Sequence, residues 1–252
     1  MLNRGIYVSR VVGKDSVAEF FSLIRAHQVQ SDLVRIGGLG DGGYLIPDDL
    51  AGIEECFSPG VSVIADFEKD LVARGIRCYL ADYSVDASPF QHSMIDFEKK
   101  YLGVVDDEKF VRLESWVTRK QKSAGDLILQ MDIEGAEYRV LLDTPDDVFG
   151  KFRIIVVEFR HLNRLFEMFG FEVINLAFRK LLKQFDIVHI HPNNCREPVE
   201  HYGFLIPPVM EFTFLRRDRA VTRRPAPVAP HRLDAANVAG MPDVELPECW
   251  RA

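Results

Sequence analysis

Residues 126–139, DLILQMDIEGAEYR, constrain the fold of this chain more than any other stretch. A run of apolar or neutral residues from Leu127 to Gln130 leads into Met131, and two carboxylates follow at Asp132 and Glu134. Gly135 then turns the chain into AEYRVLLD, which reads as the start of a helix. A strand without a polar face must be covered on both sides, as strands of parallel sheets are. In open α/β sheets, ligands sit outside the carboxyl ends of such strands. Asp132 and Glu134 stand two apart at that rim, so they share a face if the strand conformation holds. An Asp or Glu here can also simply cap the helix. Glu134 suits that role better, because Asp132 precedes the cap.

Strand-like and helix-like segments alternate on both sides of this unit. Ser16–Gln28 has apolar residues at helical spacing with Ser16 as an N-cap. From Leu33 to Leu50, five glycines among seven residues separate VRI from YLIP, and Asp41-Gly42 predicts a β-hairpin. The same loop can lie against a ligand, with Arg35 and Asp41 as polar handles. Ile53–Ser62 reads as a strand ending in a small-residue turn, Ala65–Arg74 as a helix stopped by Gly75, and Arg77–Ala81 as a second strand. Pro89–Lys100 is expected to be helical, Lys109–Leu113 to be a third strand, and Glu114-Ser115 to open an amphipathic segment. The β-branched run Arg153–Val157 ends at Glu158, with His161 three positions on. Leu162–Gln184 reads as helix broken at Gly170. Phe185–Ile190, which opens into His191-Pro192-Asn193-Asn194-Cys195, and Glu211–Leu215 read as two strands paired antiparallel. The order predicts a doubly wound, mostly parallel α/β sheet with an antiparallel hairpin at one edge.

At 252 residues the chain can bury a full core. Its formal charge of -7 argues against a general nucleic-acid binder. No apolar run approaches the ~20 residues that cross a bilayer, and MLNRGIYVSRVVGKDS lacks the apolar centre of a secretory signal, so a cytoplasmic protein is expected. Four scattered cysteines form no C-x-x-C pair. The organisation expected is a helical segment over residues 1–32, a catalytic domain over 33–215 and an Arg/Pro-rich tail over 216–252. Six arginines and three prolines between Arg216 and Arg232 suggest a solvated arm. Trp250 is expected to anchor the last residues to the core or to a second subunit, which would make a homo-oligomer through the tail.

A small-residue turn after the first strand and an acid, Asp82, after the second suit a nucleoside-containing cofactor, with Asp82 accepting the ribose hydroxyls. Asp82 lies 22 positions beyond Gly60. The absence of G-x-G-x-x-G counts against NAD, whose pyrophosphate needs those amides.

With these residues in place, the chain resembles the FkbM family of S-adenosylmethionine-dependent methyltransferases. MDIEGAEYRVL is similar to the family's K-x-D-x-E-G-A-E signature, and GDGGYLIP, FSPGVS…DFEKDL, VVEFRH and HIHPNNC follow in family order over roughly residues 33–215. Gln130 stands where the family usually has lysine, and Ser58-Pro59-Gly60 where it usually has G-x-G. The resemblance implies a class I, Rossmann-like methyltransferase fold with a seven-stranded sheet. It also implies methyl transfer to oxygen, commonly a hydroxyl of a sugar, glycan or natural product.

Cofactor contacts are then expected at Asp41, Gly42, Gly43, Ser58, Gly60, Glu68, Asp82, Glu114, Ser115 and Asp132. Asp132, Glu158, His161 and His191 are the catalytic candidates, the two imidazoles as bases. Asp132, Glu158 and His161 would suit Mg²⁺ or Mn²⁺. Two alternatives use the same residues. A glycoside hydrolase of the chitinase type also ends a strand in D-x-E, but needs an Asp where Gln130 stands. A non-catalytic nucleoside-binding module would keep the fold alone.

Overall fold

The structure is a computed structural model that describes residues 10–219, 221–226 and 230–251. Seven strands build the central sheet: β1 Ile53–Pro59, β2 Arg77–Ala81, β3 Ile95–Glu98, β4 Asp126–Met131, β5 Phe152–Phe159, β6 Phe185–Pro192 and β7 Met210–Arg216. Their order is β6-β7-β5-β4-β1-β2-β3. The five strands from β5 to β3 pair in parallel. β7 runs antiparallel to β5 and to β6. This is the expected doubly wound sheet with its antiparallel edge hairpin. The strand order reverses between β1 and β4, which run parallel, and this opens a crevice at their carboxyl ends.

Side chains alternate between two cores. Leu127, Leu129, Ile155 and Val157 face one cluster, built with Phe57, Trp116, Phe159 and Phe178. Ile128, Ile154 and Val156 face the other, built with Ile36, Tyr44, Ile46, Phe67 and Leu71. Buried phenylalanines and two-faced apolar strands leave no solvent face in the middle of the sheet. The first core is roofed by helices: α1 Lys14–Leu23, α3 Leu113–Lys120, α4 Glu137–Asp143 and α5 Met168–Leu181 each bury residues in it. Over the second lie α2, Asp66–Ala73, and an antiparallel ribbon of Leu33–Ile36 with Tyr44–Pro47. Thr213 Oγ1 on β7 donates to the Leu45 carbonyl of that ribbon at 2.6 Å.

Several readings of the sequence change. Residues 89–100 hold the edge strand β3, not a helix. Phe90, Met94 and Phe97 match helical spacing, but the Cys78–Ala81 edge of β2 needs a ladder partner, and Ile95–Glu98 fills it. Phe110–Arg112 is a strand, but it pairs with Tyr101–Gly103 outside the central sheet. The segment after Arg216 is not a solvated arm. Val221–Pro225 pairs with His27–Val29, and Arg216, Arg217 and Arg219 pair with Asp126, Asp186 and Asp49. Charge that looks solvated in sequence meets opposite charge across the fold. Trp250 is buried against Phe21 and Phe212, with ring centroids 4.9 and 5.9 Å away, and so anchors the chain end to its own core. No helix among the described residues is long and apolar enough to cross a membrane.

Candidate active site

The crevice at the switch point holds a cavity of about 280 Å³, lined by the ribbon tip, the loop after β1, α2 and the ends of β4 and β5. Gly60 shapes its floor. At φ +86°, its α-carbon lies so close to β4 that an added Cβ would stand 1.7 Å from the Asp132 carbonyl oxygen. Only glycine permits this backbone and this approach.

Past β4, Glu134 at φ 59° and Gly135 at φ 95° turn the chain. The buried Glu137 carboxylate holds that turn, accepting from the amides of Ile133 at 3.0 Å and Gly135 at 2.9 Å. Glu134 therefore does not serve as the cap. Its side chain is 77% exposed and reaches Arg160 at 3.0 Å.

Arg160 is the residue that sequence reasoning missed. Its Nη2 lies 2.9 Å from Glu158, 3.4 Å from Asp132 and 3.0 Å from Glu134, so one guanidinium serves three carboxylates. The signal was present in VVEFRH: a base two positions after a strand-end acid shares its face while the backbone stays extended.

Carboxylates crowd this rim. Glu158 on β5 stands directly opposite Glu211 on β7, which stands opposite His191 on β6. Burial, then Asp132 and Glu211, push the Glu158 carboxyl well above its usual range. Asn193 Nδ2 donates to its Oε2 at 2.8 Å. Burial also lifts Asp132 to about 7, although Arg160 pulls the other way. Burial lowers the His191 pKa, but the Glu211 carboxylate, 3.4 Å from Nδ1, outweighs it and leaves the imidazole raised. Oxygen atoms of Asp41, Asp132 and Glu158 lie within 4.8 Å of one another, the one such potential metal-ligand group among the described residues. His161 is not in that group. It is exposed, left-handed at φ 62°, and its imidazole packs over Gly135.

Of the expected cofactor contacts, Asp41, Gly42, Gly60, Glu68 and Asp132 line the cavity. Ser58 lies behind its wall, hydrogen-bonded to Glu68 and Gln130. Gly43 is packed against the Gly38 carbonyl inside the ribbon loop. Asp82 accepts from the Ser62 amide at 2.8 Å and from the Ser84 amide and hydroxyl at 2.7 Å each, tying the loop after β1 to the one after β2. Glu114 and Ser115 engage Arg112 and Asp106 and are not among the residues lining the cavity. Arg35 holds its own loop through the Gly38 and Gly40 carbonyls rather than facing the cavity.

Residues 66–187 match the profile of the methyltransferase FkbM domain. No curated protein matches the chain. Among solved structures it is similar to the fibrillarin/Nop5p complex, at 13% identity and a TM-score of 0.40 over 66% of this chain and 74% of that one. It is also similar to Thermoplasma acidophilum 1320, at 11% identity and a TM-score of 0.35 over 66% and 80%. TrmN from Thermus thermophilus follows, at 12% identity and a TM-score of 0.34 over 66% and 44%.

Proposed function

We propose, on the premise that this chain carries an FkbM domain and is an S-adenosylmethionine-dependent methyltransferase, that its acceptor is a hydroxyl of a sugar, glycan or natural product. The observation that carries this reading is Asp132. It lines the cofactor cavity and stands at the same rim as Asp41, Glu158 and Arg160. The glycine-shaped loop at Gly60 gives the cofactor's polar end backbone to lie on, and Ile64 and Phe67 give it apolar wall. When bound, S-adenosylmethionine supplies an electrophilic methyl group.

The protein then has to hold an oxygen in line with that methyl and take its proton. With a pKa lifted to about 7, Asp132 can receive a proton near neutral pH without being wholly protonated beforehand. Arg160 and Glu134 orient acceptor hydroxyls from the cavity's outer side. His191 supports the rim from behind through Glu211.

Asp41, Asp132 and Glu158 form an all-oxygen set that fits Mg²⁺ or Mn²⁺. Such an ion would lower the pKa of the acceptor hydroxyl and would share Asp132 and Glu158 with Arg160. The hydrolase alternative is disfavoured, because the sheet is open and Gln130 stands where that motif needs an Asp.

The test is thermal. S-adenosylmethionine at a hundred times its Kd should stabilise the protein by roughly 2.7 kcal/mol, and runs with and without Mg²⁺ or Mn²⁺ read the metal. Replacing Asp132 by Ala should abolish methyl transfer to hydroxyl acceptors with the circular dichroism unchanged. Retained turnover in that variant overturns the assignment, and an unshifted melting curve leaves the binding-module alternative.

A further inference from the structure

Glu68 is a carboxyl without a cation. It projects from the first turn of α2 into the cavity lining and is 3% exposed. Asp132, Glu134 and Glu158 share Arg160. No ion pair reaches Glu68 among the described residues, and Asp41, which feels the Arg160 charge, is open to water. The groups around Glu68 are neutral or distant. Cys56 and Ser58 come from β1, Cys78 from β2, Gln130 from β4 and Tyr44 from the ribbon. On its own helix, Asp66 and Lys69 pair with each other at the surface, and Asp70 accepts the Gly37 amide.

The hydrogen-bond partners limit where a proton can sit. Ser58 Oγ is within bonding distance of both Glu68 Oε1 and, at 2.7 Å, Gln130 Oε1, while Gln130 Nε2 donates to Tyr44 Oη at 3.2 Å. A hydroxyl has one proton to give. With Gln130 turned this way, Ser58 can give its proton to only one of the two oxygens, and a proton on Glu68 would complete the second contact. Burial lifting the Glu68 carboxyl to about 7 agrees with that count. A lysine in place of Gln130 would supply the missing cation; this chain has an amide there.

We propose that Glu68 is the counter-ion for the α-ammonium group of S-adenosylmethionine, and that it releases its proton to solvent as the cofactor enters. The proposal rests on the methyltransferase reading and deepens it. The cofactor's methyl must face Asp132 and the acceptor, and the loop amides after β1 suit its carboxylate. That leaves the ammonium to the floor, where Glu68 waits. No bond to carbon changes: one O–H breaks, the proton passes to buffer, and a buried carboxylate is left beside a buried ammonium.

The experiment is titration calorimetry of the full chain at pH 6.5 with S-adenosylhomocysteine, which keeps the ammonium and lacks the reactive sulfonium. It is run in buffers of different ionisation enthalpy. The expected result is release of roughly three-quarters of a proton, and an affinity that falls by about eightfold between pH 6.5 and 5.5. Glu68→Gln should bind more weakly, release none and lose that pH dependence. 5′-Methylthioadenosine, which lacks the amino-acid arm, should release none from the native protein. Buffer-independent heats with S-adenosylhomocysteine, or proton release that persists in Glu68→Gln, overturn the proposal while leaving the methyltransferase reading standing. Absence of any binding overturns both. Should Glu68→Gln fail to fold, the comparison of the two ligands on the native chain decides alone.

Discussion

At Asp132 and Glu158, carboxyls that water would ionise are held in a crowded, mostly dry rim, and Arg160 prevents their mutual repulsion from opening it. Both strand-end acids could be read from the sequence, because each closes an apolar run. Glu137 could not, since its work is to bend back on the amides of Ile133 and Gly135 within the turn. His161 follows Glu158 closely in sequence, yet a left-handed backbone swings it away from the carboxylates. Glu68 carries a pH dependence whose sign is fixed by its environment. Its pKa rises from 4.5 to about 7 on burial. The cofactor-free native state therefore holds a proton that the unfolded chain gives up. That contribution is fully present below pH 4.5 and is lost as pH climbs to about 7. Relative to Glu68→Gln, the native chain should lose stability by about 1.4 kcal/mol per pH unit across that window in urea unfolding. A difference that stays flat from pH 5 to 7 contradicts it.

Among the elements, the loop after β1 and the turn after β4 act as one part. Gly60 lies on the Asp132 carbonyl, and Asp82 pins the Ser62 amide from the next strand. The Gly60→Ala substitution should cost roughly 3 kcal/mol or more, from a strained positive φ and a steric clash with backbone. It should also weaken S-adenosylhomocysteine binding, and a variant with native affinity and melting temperature would refute the close approach. Element types were legible where burial sets a period: β4, β5 and α2 stand within a residue or two of their expected places. Residues 89–100 misled because apolar residues at helical spacing also suit a loop leading into a short edge strand. Backbone pairing with β2 decided between them.

Across the whole molecule, the chain end closes the structure. Asn237 Nδ2 donates to Glu211, Asn194 exchanges hydrogen bonds with Val238, and Trp250 fills the core beside α1. Trp250→Ala should lower stability by about 3–5 kcal/mol, as loss of a buried aromatic does. An unchanged urea midpoint would mean that the end is not part of the fold. By itself the sequence determined the alternation of elements, the strand-end positions of Asp132 and Glu158 and the glycine turn, all set by local periodicity and backbone sterics. Only the tertiary structure decided that Asp41 joins Asp132 and Glu158, that Arg160 serves Asp132, Glu134 and Glu158 at the ends of β4 and β5, and that Glu68 is left without a cation. Those facts depend on which strands become neighbours. In DLILQMDIEGAEYR the carboxylates are visible, but the charges that balance them come from elsewhere in the chain.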